Sequence, residues 1–240
     1  MQSKLSDGKV NYSLGTYNKY DDKEQWIRIT EGCPHNCPFC YEPQEQKVFD
    51  IPEIVRNDVK IMDMNLLCKP QAMQILDELG KKRVNGKVVY YDLVCGVDYR
   101  FLNHALVLAL HVARIKKIRL AWDWGMREQY KLKDAIKMLS DYYPASKIMV
   151  FMICNWKISF DECCQKLDLL KVWGAQVSDC YFDNQTMPDV VPEHWSKQQI
   201  KEFRRKCRKH NQLINFGIDP EVSDMIDCTT RGMRCEDEIR

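Results

Sequence analysis

The feature that most constrains the fold is an alternation of short apolar runs with longer segments of helical periodicity. In the clearest run, residues 148–153 are all apolar, and segments with helical spacing lie on either side. A short, continuous apolar run is typical of a strand that is covered on both faces, as strands of parallel sheets are. Because parallel strands need long crossover connections, the pattern predicts an α/β fold.

The same alternation recurs along most of the chain. Strands are predicted at residues 25–30, 59–65, 87–95, 117–122, 147–154 and 176–182. Helices are predicted at residues 70–80, 101–115, 128–142, 160–173 and 196–210. The second helix has too many apolar positions for a surface helix, so we expect it to be largely buried. Strands joined by helical or mixed connections indicate a parallel sheet with right-handed crossovers, whose ligands bind at the carboxyl ends of the strands.

Composition limits the classes of partner. The 240 residues include 36 basic and 34 acidic residues, and the net charge of +2 gives no overall preference for nucleic acid or an anionic membrane. Residues 1–22 are polar and lack the apolar stretch of a secretory signal, and no run approaches the roughly 18 apolar residues of a membrane span. With 12 cysteines in such a chain, we expect a reducing, cytoplasmic location and no membrane partner.

The pattern divides the chain into three parts. Residues 1–22 form a polar N-terminal extension, residues 23–195 a core domain, and residues 196–240 a C-terminal helix followed by a tail. The tail, from residue 211 onward, is predicted to be irregular.

A loop rich in cysteine follows the first predicted strand. Residues 30–43, which we call the cysteine loop, have the sequence TEGCPHNCPFCYEP and place Cys33, Cys37 and Cys40 in a C-x3-C-x2-C spacing. An iron–sulfur cluster of the [4Fe–4S] type has four irons and usually takes four cysteines. Three close thiolates without an adjacent fourth would leave one iron open to an exogenous ligand. The spacing therefore predicts that these three cysteines bind a cluster with one open position.

A structural zinc ion is the alternative interpretation of the same cysteines. The fourth ligand would be His35 or a distant residue. Zinc sites usually combine two C-x2-C pairs, however, and the sequence has no second pair. The spacing favours the cluster over the zinc ion.

The cysteine loop, including the aromatic Phe39 before the third cysteine, resembles the signature of the radical S-adenosylmethionine (SAM) superfamily. The resemblance implies that the open iron binds the amino and carboxylate groups of SAM. It implies that an electron from the cluster cleaves SAM to methionine and a 5′-deoxyadenosyl radical, which takes a hydrogen atom from the substrate. It also implies a partial (βα)6 TIM-like barrel with parallel strands within residues 23–195, and a reducing partner such as flavodoxin or ferredoxin.

The resemblance implies further SAM contacts. Members of the superfamily often have a Gly-Gly-Glu-like stretch after the second strand, where this chain has Asp63 and Asn65. If the strand reached residue 65, both side chains would share a face and could meet the SAM ammonium, although Asn65 could instead only turn the chain. Phe39 and Tyr41 are candidates for packing on the cofactors, and Tyr41 could equally be a core aromatic residue.

Two segments after the third and fourth strands resemble segments of compact radical SAM proteins. One is the Gly-x-Asp-x-Arg turn that contains Asp98 and Arg100, and the other is the Ala-aromatic-Asp sequence that ends at Asp123. Arg100 could pair with a carboxylate of SAM or of the substrate, so Asp98 and Arg100 are candidate catalytic residues, but an internal salt bridge would also explain the pair. Asp123 is a candidate for ribose hydroxyls. Asn155, just after the fifth strand, is a candidate for a hydrogen bond to SAM by its position alone. Asp179 and Asp183 flank the sixth strand and are candidates on the same ground.

The remaining cysteines and a basic helix complete the set of candidates. Cys95 and Cys154 lie near strand ends and could donate a hydrogen atom, whereas most other cysteines are expected to be buried core residues. A second cluster from Cys207, Cys228 and Cys235 would lack compact spacing. Residues 197–210 carry seven Lys or Arg residues and one acid, a pattern compatible with phosphate or nucleic-acid binding and also with a solvated helix face.

Three functions are compatible with these observations. The first is a radical SAM enzyme for a small molecule or nucleotide, which the small size of the chain favours. The second is a radical SAM enzyme that modifies tRNA or a peptide, and it requires the basic helix to lie beside the barrel mouth. The third is a non-enzymatic module in which the three cysteines form a structural metal site.

Overall fold

The computed structural model describes residues 2–4, 10–123, 125–154, 157–181 and 195–218. The strands in these ranges are β1 (Gln2–Lys4), β2 (Val10–Tyr12), β3 (Tyr17–Tyr20), β4 (Gln25–Arg28), β5 (Thr30–Glu31), β6 (Lys47–Val48), β7 (Asp58–Ile61), β8 (Arg83–Val84), β9 (Lys87–Val88), β10 (Tyr90–Leu93), β11 (Ile118–Ala121), β12 (Ile148–Ile153) and β13 (Gln176–Cys180). The helices are α1 (Ala72–Lys81), α2 (His104–Val112), α3 (Gln129–Ser140), α4 (Phe160–Trp173) and α5 (Lys197–Phe216). Short 3-10 segments lie at Leu66–Cys68, Tyr99–Phe101, Met126–Glu128 and Ala145–Lys147.

The main strands form two parallel groups that follow chain order. β4, β7 and β10 lie side by side in parallel, and β11, β12 and β13 do the same. Isolated parallel bridges, Tyr91 to Ile115 and Val97 to Leu120, connect the first group to the second. Helix α1 lies between β7 and β10, α2 between β10 and β11, α3 between β11 and β12, and α4 between β12 and β13. The predicted α/β fold with parallel sheets is therefore confirmed.

The N-terminal region adds an antiparallel strand to this arrangement. β3, which falls in the predicted polar extension, pairs antiparallel with β4 in the register Tyr17 to Arg28. The side chains of β3 are exposed on its whole length, which explains why its sequence lacks the apolar signal of the other strands. The boundaries proposed at residues 22 and 195 stay predictions.

The core is formed between the helices and one face of the strands. Apolar residues of the strands, such as Ile61, Tyr91 and Val150, are completely buried, and Leu79 of α1 is buried against them. The Tyr91 hydroxyl donates a hydrogen bond to the Leu79 carbonyl at 2.9 Å, which ties β10 to α1. Each large apolar side chain buried in this way stabilises the fold by about 1.5–3 kcal/mol.

The other face of the strands is only partly covered. In β12, buried residues alternate with half-buried ones, so one face of this strand is fully covered and the other face is covered in part. On the neighbouring strands this partly covered face carries charged residues. Lys60 of β7 lies 3.5 Å from Asp92 of β10, and Arg119 of β11 also pairs with Asp92. Charged side chains are costly to bury away from water or from partners. This face of the strands therefore does not form an apolar core.

Helix α2 is less buried than its composition indicated. Leu106, Val107 and Leu110 are buried, but Leu108 is 46% exposed and Val112 is 58% exposed. The helix contacts α1 and α3, which cover one of its sides. The expectation of a largely buried helix was therefore wrong for its outer face.

Helix α5 extends beyond the predicted end at residue 210. Ser196 begins it with a capping box, and Gly217, in the left-handed conformation, ends it. Residues 211–216 are therefore helical, not irregular, and Asn211 uses its side-chain amide to bond both the N–H and the carbonyl of Val177 in β13. Residues 219–240 lie outside the described part of the chain.

Among the described residues, no helix combines the length and the apolar character needed to cross a bilayer.

Candidate cofactor site

The cysteine loop is closed by a small antiparallel ladder. β5 leads into the loop and β6 follows it, with Thr30 opposite Val48 and Glu31 opposite Lys47. Inside the loop, the N–H of Cys33 donates to the carbonyl of Pro43 at 2.9 Å. These contacts hold both ends of the loop at the carboxyl end of β4, where the first predicted strand was expected to present its cysteines.

Gly32 permits the sharp entry into the loop. Its φ of +87° lies in the region that glycine adopts most easily. A Cβ atom at this position would come within 2.0 Å of the Glu45 carbonyl oxygen. The loop can close in this form only with glycine at position 32.

Buried charges lie beneath the loop. Arg28, which is 3% exposed, lies 3.3 Å from Glu42 and 3.9 Å from Glu31. Glu42 accepts a hydrogen bond from the N–H of Gly32 at 2.7 Å, and burial raises the pKa of its carboxyl group. Lys69 is buried and donates to the carbonyl of Glu31 at 2.7 Å. These buried groups fix the backbone from which the cysteines project.

A cavity of about 250 Å³ lies beside the loop, and we call it the cysteine cavity. It is lined by the carboxyl-terminal ends of five parallel strands and the segments that follow them, represented by Cys33, Cys37, Phe39, Cys40 and Tyr41 after β4, Met64 and Asn65 after β7, Cys95, Gly96, Asp98 and Arg100 after β10, Ala121 and Asp123 at β11, and Ile153 at β12. Parallel strands bring their carboxyl ends to one edge of a sheet. The cavity therefore lies where the fold is expected to bind a ligand.

The three cysteines of the loop line this cavity but differ in their surroundings. The pKa of Cys33 is lowered to about 5, mainly by a hydrogen bond from the Cys68 thiol, and the Asn65 amide, 3.3 Å from its sulfur, also contributes. Burial raises the pKa of Cys37 to about 12. Within the described residues, no group of three or more His, Cys, Asp or Glu side chains is arranged to hold a metal ion. A [4Fe–4S] cluster binds each thiolate at a different iron, so it needs cysteines around a cavity, not at one point.

Asp98 and Arg100 form an internal ion pair at the edge of the cavity. The Nε of Arg100 donates to Asp98 Oδ1 at 2.8 Å, and a terminal guanidinium nitrogen donates to Oδ2 at 2.9 Å. The Nε2 atom of His35 lies 2.8 Å from Asp98 Oδ2. The salt bridge considered from the sequence is thus present, and both residues also line the cavity.

Asp63 and Asn65 do not share a strand face, because β7 ends at Ile61. Asp63 is buried, and its carboxylate accepts hydrogen bonds from the N–H of Ile29 and the hydroxyl of Thr30. Burial raises its pKa to about 6, and it is not among the cavity-lining residues. Asn65 does line the cavity, so the structure separates the two residues that the sequence paired.

Asn65 retains an unused acceptor. The residue is 5% exposed, and its Oδ1 is buried with no hydrogen-bond partner among the described residues. A buried carbonyl oxygen without a partner is costly. A ligand with an ammonium group, such as SAM, would remove that cost, and the three thiols are the donors that an iron–sulfur cluster uses. The residues present therefore fit a [4Fe–4S] cluster with SAM.

The other sequence candidates fall into different places. Asp123 lines the cavity and accepts from the N–H of Ile153 at 3.3 Å, and burial raises its pKa to about 6. Cys95 also lines the cavity, whereas Cys154 is buried in the core. Asp179 pairs with Arg204 of α5 at 3.5 Å.

Several candidates lie outside the described residues, namely Asn155, Asp183, Cys228 and Cys235. Cys207, the remaining member of the conceivable second cluster, is buried in the core between α5 and its neighbours.

Sequence reasoning missed the polar residues that support the loop. Glu42, Cys68 and Lys69 were not singled out, although each contacts the loop backbone or Cys33. Only the position of Glu42, two residues after Cys40, gave any signal. Burial of such residues depends on tertiary packing that no local pattern reports.

Comparison with known proteins identifies a similar fold. The chain is similar to the radical SAM methyltransferase TsrM from Kitasatospora setae, in a structure with cobalamin and a [4Fe–4S] cluster bound (TM-score 0.52, 11% identity, covering 65% of this chain and 36% of that chain). A TsrM structure with tryptophan substrate and the SAM analogue aza-SAM gives a TM-score of 0.53 at 11% identity, with 65% of this chain and 35% of that chain covered. The chain thus spans about a third of the length of these proteins. No family model and no curated protein matches it.

At this identity the likeness concerns the fold. Over 65% of its length, the chain therefore shares its arrangement of strands and helices with these two structures.

Proposed function

We propose that this protein is a radical SAM enzyme whose parallel strands form a partial (βα)6 barrel around the cysteine cavity. The single observation that carries the proposal is the placement of Cys33, Cys37 and Cys40 on one cavity at the carboxyl ends of the parallel strands. The radical SAM-like fold supports it independently. When bound, the [4Fe–4S] cluster and SAM would supply a 5′-deoxyadenosyl radical for hydrogen abstraction.

The residues of the chain would divide the work of binding. Cys33, Cys37 and Cys40 would hold the cluster, and the buried Oδ1 of Asn65 would accept a hydrogen bond from the SAM ammonium. Phe39 and Tyr41 would cover the cofactors, since both line the cavity. These aromatic walls would also exclude water from the reacting atoms.

The other cavity residues would place the remaining polar groups of SAM and of the substrate. Asp123, at the end of β11, would accept from ribose hydroxyls. Arg100 would bind a carboxylate while Asp98 holds its guanidinium in a fixed orientation. Two further candidates for binding SAM are Asn155 and Asp63. Asn155 lies outside the described residues, and the carboxylate of Asp63 already bonds Ile29 and Thr30.

The geometry favours a small substrate over a macromolecule. On α5, Arg204 pairs with Asp179 and lies over the Tyr181 ring, and Lys206 pairs with Glu202. Arg204 therefore stabilises the contact of α5 with β13, and the pair of Lys206 with Glu202 lies within α5. The cysteine cavity, in contrast, draws its walls from β4 to β12. Modification of tRNA or a peptide is the second candidate and depends on the charges that remain exposed.

The reducing partner and the location follow from the same chemistry. An electron donor such as flavodoxin or ferredoxin would be required. A reducing compartment such as the cytoplasm would keep the three cysteines available as thiolates.

Anaerobic purification tests the proposal. We expect brown protein with about four irons per chain that, once reduced, converts SAM to 5′-deoxyadenosine. Alanine at Cys33, Cys37 or Cys40 should abolish both properties, whereas Cys164→Ala, on α4, should retain them. Colourless protein with one zinc ion per chain would reject the enzyme and support the structural metal module.

A further inference from the structure

A second, polar cavity opens beside the cysteine cavity. This polar chamber has a volume of about 560 Å³, and it shares His35, Cys37 and Arg100 with the cysteine cavity. Its remaining wall includes Arg127, Glu128 and Lys131. Because the two spaces share residues, a molecule in the chamber would lie next to the cluster-binding loop.

The chamber wall carries an excess of positive charge. Arg100, Arg127 and Lys131 line it together with a single carboxylate, Glu128. That carboxylate accepts a hydrogen bond from the Tyr99 hydroxyl and lies 3.9 Å from Lys131. The carboxylate of Glu128 therefore already has a hydrogen-bond donor and a nearby cation.

Arg127 differs from the other two cations. Arg100 is neutralised by Asp98, and Lys131 has Glu128 within 3.9 Å. In the part of the chain that the structure describes, no carboxylate forms an ion pair with Arg127. Arg127 and Lys131 are four positions apart on the continuous helical segment that begins at Met126, so both side chains can reach one ligand.

We propose that this polar chamber binds an oxyanion group, a phosphate or a carboxylate, of the substrate. The inference rests on the proposed function, because it treats the cysteine cavity as the place of the cofactors. Arginine binds such groups through two parallel hydrogen bonds, and lysine adds a point charge. The chamber adjoins the largely apolar space beside Phe39 and Tyr41 and shares residues with it, so an anionic group bound in the chamber would hold the substrate within reach of the reaction.

Titration with simple anions tests the chamber. The full-length chain is titrated with inorganic phosphate and, separately, with acetate, at constant ionic strength, and amide chemical shifts are followed by NMR. The double variant R127Q/K131Q is compared with K133Q/K137Q, which removes two exposed lysines from the same helix. We expect R127Q/K131Q to weaken anion binding on the order of tenfold, while K133Q/K137Q changes it little.

The outcomes separate the sources of the anion. Tighter binding of phosphate would assign a phosphorylated substrate, and equal or tighter binding of acetate would assign a carboxylate substrate. Equal affinity of the two double variants, or no binding of either anion to the unmodified chain, would overturn the proposal.

Cleavage of SAM without substrate, measured on the same variants, reports on the proposed function alone. Cleavage of SAM without anion binding would reject the anion site and support the proposed enzyme. Anion binding without cleavage of SAM would support the anion site and reject the proposed enzyme.

Discussion

The side-chain amide of Asn65 lies 3.3 Å from the sulfur of Cys33 and 3.4 Å from a carboxylate oxygen of Asp98. It therefore links the cysteine loop after β4 to the turn after β10. The same residue leaves its Oδ1 buried without a partner among the described residues. One side chain thus contacts Cys33, the turn after β10 and the cysteine cavity.

Removing the Asn65 amide should lower the reduction potential of the cluster. A hydrogen bond to a ligating sulfur stabilises the reduced cluster, so Asn65→Leu is expected to shift the potential by on the order of −20 to −60 mV, the equivalent of one hydrogen bond. Asn65→Asp should shift it at least as far, because it replaces the donor with a negative charge. A redox titration followed by EPR measures both values. Unchanged potentials in the two variants would show that the amide does not reach the sulfur in the loaded protein.

Alanine at Gly32 should prevent the loop from closing. Gly32 and Gly86 both have positive φ, +87° and +75°, but only at Gly32 would a Cβ meet backbone, at 2.0 Å. We expect Gly86→Ala to cost about 1 kcal/mol of unfolding free energy, and Gly32→Ala to cost about 3 kcal/mol or more and to reduce iron content. Urea unfolding and iron analysis measure the two effects. Equal costs would mean that the backbone around Glu45 gives way.

Loss of the Glu42 carboxylate should destabilise the protein strongly. Among the described residues, Glu42→Ala leaves the buried Arg28 with Glu31, at 3.9 Å, as its remaining ion-pair partner. Breaking a buried pair costs about 3–5 kcal/mol. Glu45→Ala is the matched control, because Glu45 is 75% exposed and pairs with Lys47 at the surface. Its expected cost is below about 1 kcal/mol. Similar denaturation midpoints for the two variants would contradict the buried role of Glu42.

Protonation of His210 should weaken the fold as the pH falls. His210 is buried, its Nε2 lies 2.7 Å from the Ala175 carbonyl, and its Nδ1 has no partner among the described residues. Burial lowers its pKa below the ordinary value of 6.5. The unfolded chain therefore binds the proton more readily, so the stability contribution is complete above pH 6.5 and is lost as the pH falls below it.

The His210 effect can be measured from the pH dependence of unfolding. Each pH unit between the two pKa values is worth about 1.4 kcal/mol. Urea unfolding at pH 7.5 and pH 5.5 should show a smaller loss in His210→Gln than in the parent chain. His104→Gln, at an exposed residue, should behave like the parent. An identical loss in all three proteins would assign the pH dependence to other groups.

The elements that were predicted best have both a periodic pattern and local end signals. Helix α4 was predicted at 160–173, as observed, because Ser159 caps its first turn and Gly174, with φ +69°, ends it. The end of α5 had a similar signal in Gly217, preceded by Leu213 and Ile214. The hairpin of β8 and β9 has an Asn85-Gly86 turn, which favours such hairpins. Gly217 would have predicted the end of α5, and Asn85-Gly86 would have predicted the hairpin.

The location of the cysteine cavity was predictable because the order of the parallel strands determines it. Cys33, Asn65, Asp98 and Asp123 follow four different strands, and a parallel arrangement brings the ends of those strands together. The details of contact were not predictable. β7 ends at Ile61, so Asp63 lies beyond the strand, where the alternation of side chains no longer predicts its direction. Its contacts with Ile29 and Thr30 depend on tertiary packing.

The contact between Asn211 and Val177 also has a consequence for self-association. The outermost parallel strand of a sheet offers bare N–H and carbonyl groups that another molecule can recruit, which is a common start of aggregation. Here a helix of the same chain occupies both groups of Val177. Helix α5 therefore prevents another molecule from adding a strand at Val177 of β13. A chain shortened before Asn211 would expose these backbone groups to other copies.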